Sequence, residues 1–87
     1  MKFRDIFFSK EGRYSVGVEL DLGRHYLSIP VSNGMVDYEE YYEITESQAK
    51  EFFENKAQAN DFANKCRNRL VDDSLIIKSG ENRGMPS

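Results

Sequence analysis

Apolar and polar positions alternate over the first half of the chain. Tyr14, Val16, Val18 and Leu20 alternate with Ser15, Gly17 and Glu19, and Leu27, Ile29 and Val31 alternate with Tyr26, Ser28 and Pro30. A period of two marks half-buried antiparallel strands. Asp21-Leu22-Gly23-Arg24 and Asn33-Gly34 are turn sequences. Setting Asp21 opposite Arg24 places Val18 opposite Leu27, Val16 opposite Ile29 and Tyr14 opposite Val31, all on one face. Setting Val31 opposite Val36 places Ile29 opposite Tyr38 on the same face. It also sets Leu27 opposite Glu40, a poor core partner, which a bulge or fraying at Glu39-Glu40 would relieve. Pro30 has no N–H to give, so its nitrogen is expected to point away from the following strand. Lys2–Phe8 reads as a weaker strand with Ile6 and Phe8 on the inner face.

The second half changes period. Thr45-Glu46-Ser47-Gln48 fits a capping box, with Ala49, Phe52 and Phe53 following on one helical face. Asn55 restarts or bends the helix. Ala59, Phe62, Ala63, Cys66 and Leu70 form the next apolar stripe, and Asp72-Asp73-Ser74 ends it. Leu75-Ile76-Ile77 is expected to dock on the core. The predicted fold is α+β: an antiparallel four-stranded meander covered on one face by one or two C-terminal helices. Residues 1–78 form one domain in this reading, and residues 79–87 a flexible polar tail.

Composition narrows the class. The chain has 87 residues with 13% aromatics, which suits a single small folded domain. One Cys and one His exclude an internal disulfide and a Cys- or His-rich metal site, and no cofactor is implied. No segment approaches the ~20 apolar residues of a membrane span. The N-terminal run Ile6-Phe7-Phe8 is too short for a signal-peptide core, so a cytoplasmic, reduced protein is expected. The net charge is −3, a poor match to nucleic acid. That charge is uneven. Residues 35–54 hold Asp37, Glu39, Glu40, Glu43, Glu46, Glu51 and Glu54 against Lys50 alone, a net −6, while the flanking segments are slightly basic.

Candidate chemistry is sparse. His25 with Glu19 and Arg24 would suit general acid–base cleavage of RNA, although a lone His is more often a strand-edge residue. Cys66 lies within an apolar stripe and has no neighbouring base, which favours a core role. The predicted outer sheet face carries Glu19, Tyr26 and Tyr41 in one row. Gly17, Ser28 and Glu39 form the next, and Ser15, Pro30 and Asp37 the last, with no Lys or Arg among them. Carboxylates around tyrosines suit a basic protein partner. The expected contact set is Glu19, Tyr26, Asp37, Glu39, Glu40, Tyr41 and Glu43. The blander reading is a solvated edge strand guarded by charge, with Tyr26 and Tyr41 paired for stability.

The runs Tyr26–Asn33 (YLSIPVSN), Val36–Glu43 (VDYEEYYE) and Gly80–Pro86 (GENRGMP) resemble a family of small bacterial immunity proteins. Its members are encoded at contact-dependent growth inhibition and other polymorphic toxin loci. The resemblance implies a non-enzymatic protein that binds the C-terminal domain of a cognate toxin, many such toxins being basic nucleases that act on RNA. It supplies no catalytic residues and assigns no contact residues. A small RNase and a dimerising structural module are the alternatives from other classes.

Overall fold

The computed structural model describes residues 1–78 and 83–86. Four strands, β1 (Phe3–Ser9), β2 (Tyr14–Glu19), β3 (Arg24–Ser32) and β4 (Asp37–Ile44), form an antiparallel meander in sequence order. Two helices follow, α1 (Glu46–Glu54) and α2 (Lys56–Arg67), and a short strand, β5 (Met85–Pro86), pairs with β3 at Val31 and Ser32. The fold is α+β, with the helices packed over one face of the meander.

The hairpin registers differ from the sequence expectation by two residues. Val16, not Val18, lies opposite Leu27, and Leu27 in turn lies opposite Tyr42. A two-residue shift keeps every side chain on its predicted face. The cause at the first turn is Glu19. Its carboxylate accepts the Asp21 amide at 2.6 Å and Arg24 Nε at 2.9 Å, so Glu19, not Asp21, faces Arg24. Gly23 takes the left-handed conformation that this wider turn needs, at φ 71°. At the second turn Asn33 Oδ1 accepts the amides of Met35 and Val36, both at 3.0 Å, which makes the loop four residues long. The Asn33 amide donates to the Val36 carbonyl. Antiparallel alternation from that pair turns the Pro30 nitrogen away from β4, as expected.

β1 departs further. Asp5 faces Gly17 and Phe7 faces Val16, so Ile6 is the extra residue of a bulge. Beyond it the pattern inverts. Phe7, not Ile6 or Phe8, packs on the core, and Ile6 and Phe8 are exposed.

The helices begin as the capping rules require. Thr45 and Gln48 form the reciprocal box, and Asn55 ends α1 and caps α2 by accepting the Ala57 amide at 3.1 Å. Phe52, Ala59, Ala63 and Cys66 bury against Leu27, Ile29 and Val31. Burial pushes the Cys66 thiol up to about 12, so it packs as a small apolar group. Phe53 and Leu70, expected on the buried stripes, are exposed. α2 stops at Arg67, and Arg69 turns the chain in the left-handed region at φ 61°, which throws Leu70 outward. Of Leu75-Ile76-Ile77, Leu75 docks as predicted by bridging to Tyr42, whereas Ile77 is exposed.

Glu40 settles the remaining conflict. It faces the core opposite Ile29 with no bulge in β4. Arg83 Nε donates to it at 2.7 Å, and Arg69 Nη1 and the Tyr42 hydroxyl donate at 3.0 and 2.9 Å. Arg83 also forks onto Asp72 at 2.7 and 3.0 Å. Burial alone would raise the Glu40 carboxyl, but the Arg83 and Tyr42 hydrogen bonds hold it below its ordinary value. The Gly84 amide donates to the Tyr38 hydroxyl at 2.7 Å, ahead of β5. The expectation of a loose tail therefore fails for residues 83–86; residues 79–82 and 87 lie outside the described residues.

Arg83→Ala should cost about 2 kcal/mol in urea unfolding, the value of hydrogen bonds to a charged group. A loss below about 0.5 kcal/mol would mean that Arg69 alone satisfies Glu40. The lowered Glu40 carboxyl favours the folded state above its unfolded value. That stability is lost as pH falls through the folded value, and Arg83→Ala should flatten the acid limb.

Candidate functional site

The outer sheet face is built on an aromatic floor. Tyr26 on β3 is fully buried, and its ring crosses β2 over Gly17, where any Cβ would collide with the Arg4 carbonyl and the Tyr26 hydroxyl. Phe3 of β1 stacks on Tyr41 of β4, with centroids 3.7 Å apart and planes 14° apart. Tyr26 meets Tyr41 edge-to-face at 5.0 Å and Phe3 at 5.5 Å. The registers place Tyr26 opposite Glu43 and Tyr41 opposite Ser28, so the two tyrosines touch diagonally.

Carboxylates ring this floor. Asp5 Oδ1 accepts the Tyr26 hydroxyl at 2.5 Å, and Glu39 Oε1 accepts the Ser28 hydroxyl at 3.0 Å. Asp37 and Glu43 are exposed at opposite ends of β4. Among the described residues none of these four carboxylates is in an ion pair. The Glu39 carboxyl is raised, first by desolvation and then by the Asp5 charge, against the lowering effect of the Ser28 hydrogen bond. The Tyr41 hydroxyl is raised by desolvation and by Glu39 and Asp5. Two like charges thus act on one partly desolvated patch. Beside it, Lys10 and Arg13 line an open cleft with Phe8, Pro30 and Glu39, so the acidic face has a basic margin.

The seven expected contact residues do not all belong to this surface. Tyr41, Glu39, Asp37 and Glu43 do. Tyr26 supports it from beneath. Glu19 is fully buried and is held by Arg24 and the turn amides. Desolvation would raise its carboxyl, but those bonds hold it below the ordinary value. Arg24 also breaks the expectation of an outer face without basic residues, because it shares that face with Glu19. Glu40 points into the core and is neutralised there. Neither Glu19 nor Glu40 presents a free carboxylate to a partner. Conversely, Phe3 and Asp5 complete the patch: alternation leaves both on the outer face, but what joins them to it is the Tyr41 stack and the Tyr26 hydroxyl, for which the local sequence carries no signal.

The RNA-cleaving constellation is not assembled. His25 faces the helix side, opposite Val18 and Ile44, and lines a groove with Glu46 and Lys50. Glu19 and Arg24 lie on the other side of the sheet. No cluster of His, Cys, Asp and Glu among the described residues has the arrangement of a metal site. No helix among them is long and apolar enough to cross a membrane. Comparison with protein-family models, curated proteins and solved structures gives no match in any of the three.

Glu39→Gln removes a desolvated charge but keeps an oxygen for the Ser28 hydroxyl. It should leave thermal stability at neutral pH equal or higher. The raised Glu39 carboxyl makes the wild type relatively more stable as pH falls through its folded value, opposite in sense to Glu40, and the variant should lose that gain. A clear drop in melting temperature at pH 7 would show that the Glu39 charge is stabilising, against the repulsion described here.

Proposed function

We propose that the chain is a binding protein that captures a basic protein surface on its outer sheet face. In the terms of the sequence resemblance, it is an immunity protein that binds and neutralises a cognate toxin domain. The observation that carries this reading is the Asp5, Glu39 and Glu43 set around the half-buried Phe3–Tyr41 stack. A stabilising surface pairs its charges, as Glu19 does with Arg24 and Glu40 with Arg69 and Arg83. Among the described residues these carboxylates have no ion-pair partner beside the aromatic platform, and the Glu39 charge is desolvated there, a cost that a cationic partner removes. Aromatic area supplies affinity, and the surrounding acid supplies steering and register. The margin of Lys10 and Arg13 selects a partner whose basic centre is flanked by acid. Occupying a nuclease's phosphate-binding groove in this way blocks it without chemistry, in a reduced cytoplasm.

The test is co-purification and inhibition with the C-terminal domain of the protein encoded immediately upstream, using wild type, Glu39→Gln, Glu43→Gln and Tyr41→Ala. Glu39→Gln and Tyr41→Ala should each weaken binding by about 2 kcal/mol or more. Glu43→Gln, at the rim, should change mainly the association rate and its salt dependence. Normal affinity in all three variants would place the interface elsewhere. RNA cleavage by the purified chain alone, lost in a folded His25→Ala variant, would replace this reading with the enzymatic one.

A further inference from the structure

The side of the sheet under the helices is unevenly covered. α1 and α2 pack on β3, and Tyr14, Val16 and Phe7 join the core, but between α1 and Ile6 of β1 the inner face stays open. The uncovered ground is a groove of about 340 Å³. Ile6, Phe7, Ala49 and Phe53 form its apolar lining, with His25, Glu46, Lys50 and Glu54 at its margin. Ile6 is 63% exposed and Phe53 64%, although Phe53 leans edge-on against Phe7 at 5.3 Å. Beside the groove runs β1, seven residues long, paired only with β2 among the described residues. The Leu20 amide donates to the Lys2 carbonyl at 2.8 Å. Antiparallel alternation from that pair turns the N–H and C=O groups of Phe3 and Asp5 away from β2, toward the open edge. An apolar groove and an unpaired strand edge thus lie side by side.

Charge decides what fits there. A second copy paired through its own β1 does not. Two-fold pairing of β1 with itself centred on Phe3 sets Lys2 against Arg4; centred on Arg4 or Asp5 it sets like charges face to face. Centring on Ile6 sets Arg4 and Asp5 against Phe8 and Phe7, and centring on Phe7 sets Arg4 against Lys10. A strand of different sequence meets none of these clashes. We infer that the β1 edge and its groove receive an extended segment of another protein, added antiparallel to β1 and reading apolar, basic, acidic, apolar from its N-terminus. The apolar residue opposite Ile6 drops toward Phe7 and Phe53. The basic residue lies opposite Asp5 on the outer face, the acidic one opposite Arg4 on the inner face, and the last apolar residue opposite Phe3. The inference does not rest on the outer face being an interface, although the basic residue would come to lie beside it.

The probe is the blocked peptide Thr-Val-Val-Lys-Glu-Phe-Thr, compared with the same peptide with Lys and Glu exchanged, titrated into the 15N-labelled chain. Saturable shifts are expected at Phe3, Asp5, Ile6, Ala49 and Phe53, with slowed hydrogen exchange at the Phe3 and Asp5 amides. The exchanged peptide should bind about tenfold more weakly. Phe53→Glu and Ile6→Lys, both at exposed positions, should abolish the shifts while the spectra stay folded. Glu39→Gln should leave them unchanged, which separates this site from the acidic face. Equal binding of both peptides, shifts confined to Glu39, Tyr41 and Glu43, or no saturation would each overturn the inference. So would a dimer in sedimentation that Ile6→Lys dissociates, because the edge would then serve a second copy.

Discussion

A carboxylate on the core side of β4 organises much of what surrounds it. Glu40 sits opposite Ile29, where the strand pattern asks for an apolar residue. An ionised group there is tolerable only if paired and fully hydrogen-bonded. Arg69 reaches it because the chain turns left-handed just after α2, which fixes where that helix ends. Arg83 reaches it because the following segment returns across the sheet, which fixes β5 against β3. Asp72 takes the rest of the Arg83 fork, so the short helical turn Asp72–Ser74 is tied to the same point. Two arginines, two carboxylates and two tyrosine hydroxyls hold together segments that apolar contacts alone would leave loose.

The two sheet faces use acid in opposite ways. On the inner face the carboxylate is buried and satisfied, and it specifies how distant segments meet. On the outer face Asp5 and Glu39 accept only hydroxyls from Tyr26 and Ser28. Their charges remain, and they act on each other and on Tyr41. Glu19 resembles the inner case although it lies on the outer side, because Arg24 and two turn amides enclose it. Block composition cannot distinguish these uses. The −6 segment holds in adjacent positions both the structural Glu40 and Glu39, which among the described residues has no cation beside it in an ion pair.

The strand faces, the capping box, the break at Asn55 and the burial of Cys66 were legible because each rests on local chemistry or strict periodicity. The register was legible only to within two residues. Both alternatives obey the period, and the choice fell to Glu19 and Asn33 side chains capping their own turns. β1 was misread beyond Asp5, because a bulge reverses the phase of alternation at Ile6 and brings Phe7 to the core. Phe3 and Asp5 keep the outward phase, and they were missed from the patch because only the Tyr26 hydroxyl and the Tyr41 stack, both distant in sequence, tie β1 to it. Glu40 was misread as a surface acid because its partners lie 29 and 43 residues downstream, beyond any local signal. The Arg83 docking was invisible for the same reason: the segment around it is polar and glycine-containing.

That separation matters when the chain is made one residue at a time from its N-terminus. The meander and both helices emerge before either cation that Glu40 needs. Arg69 arrives first and can hold the carboxylate while synthesis continues. Arg83 comes fourteen residues later and completes the site. Until then the sheet carries a half-neutralised charge in its interior, and β3 has no β5 at Val31 and Ser32. The segment that carries Arg83 and β5 is therefore a fastening step for a sheet laid down long before it.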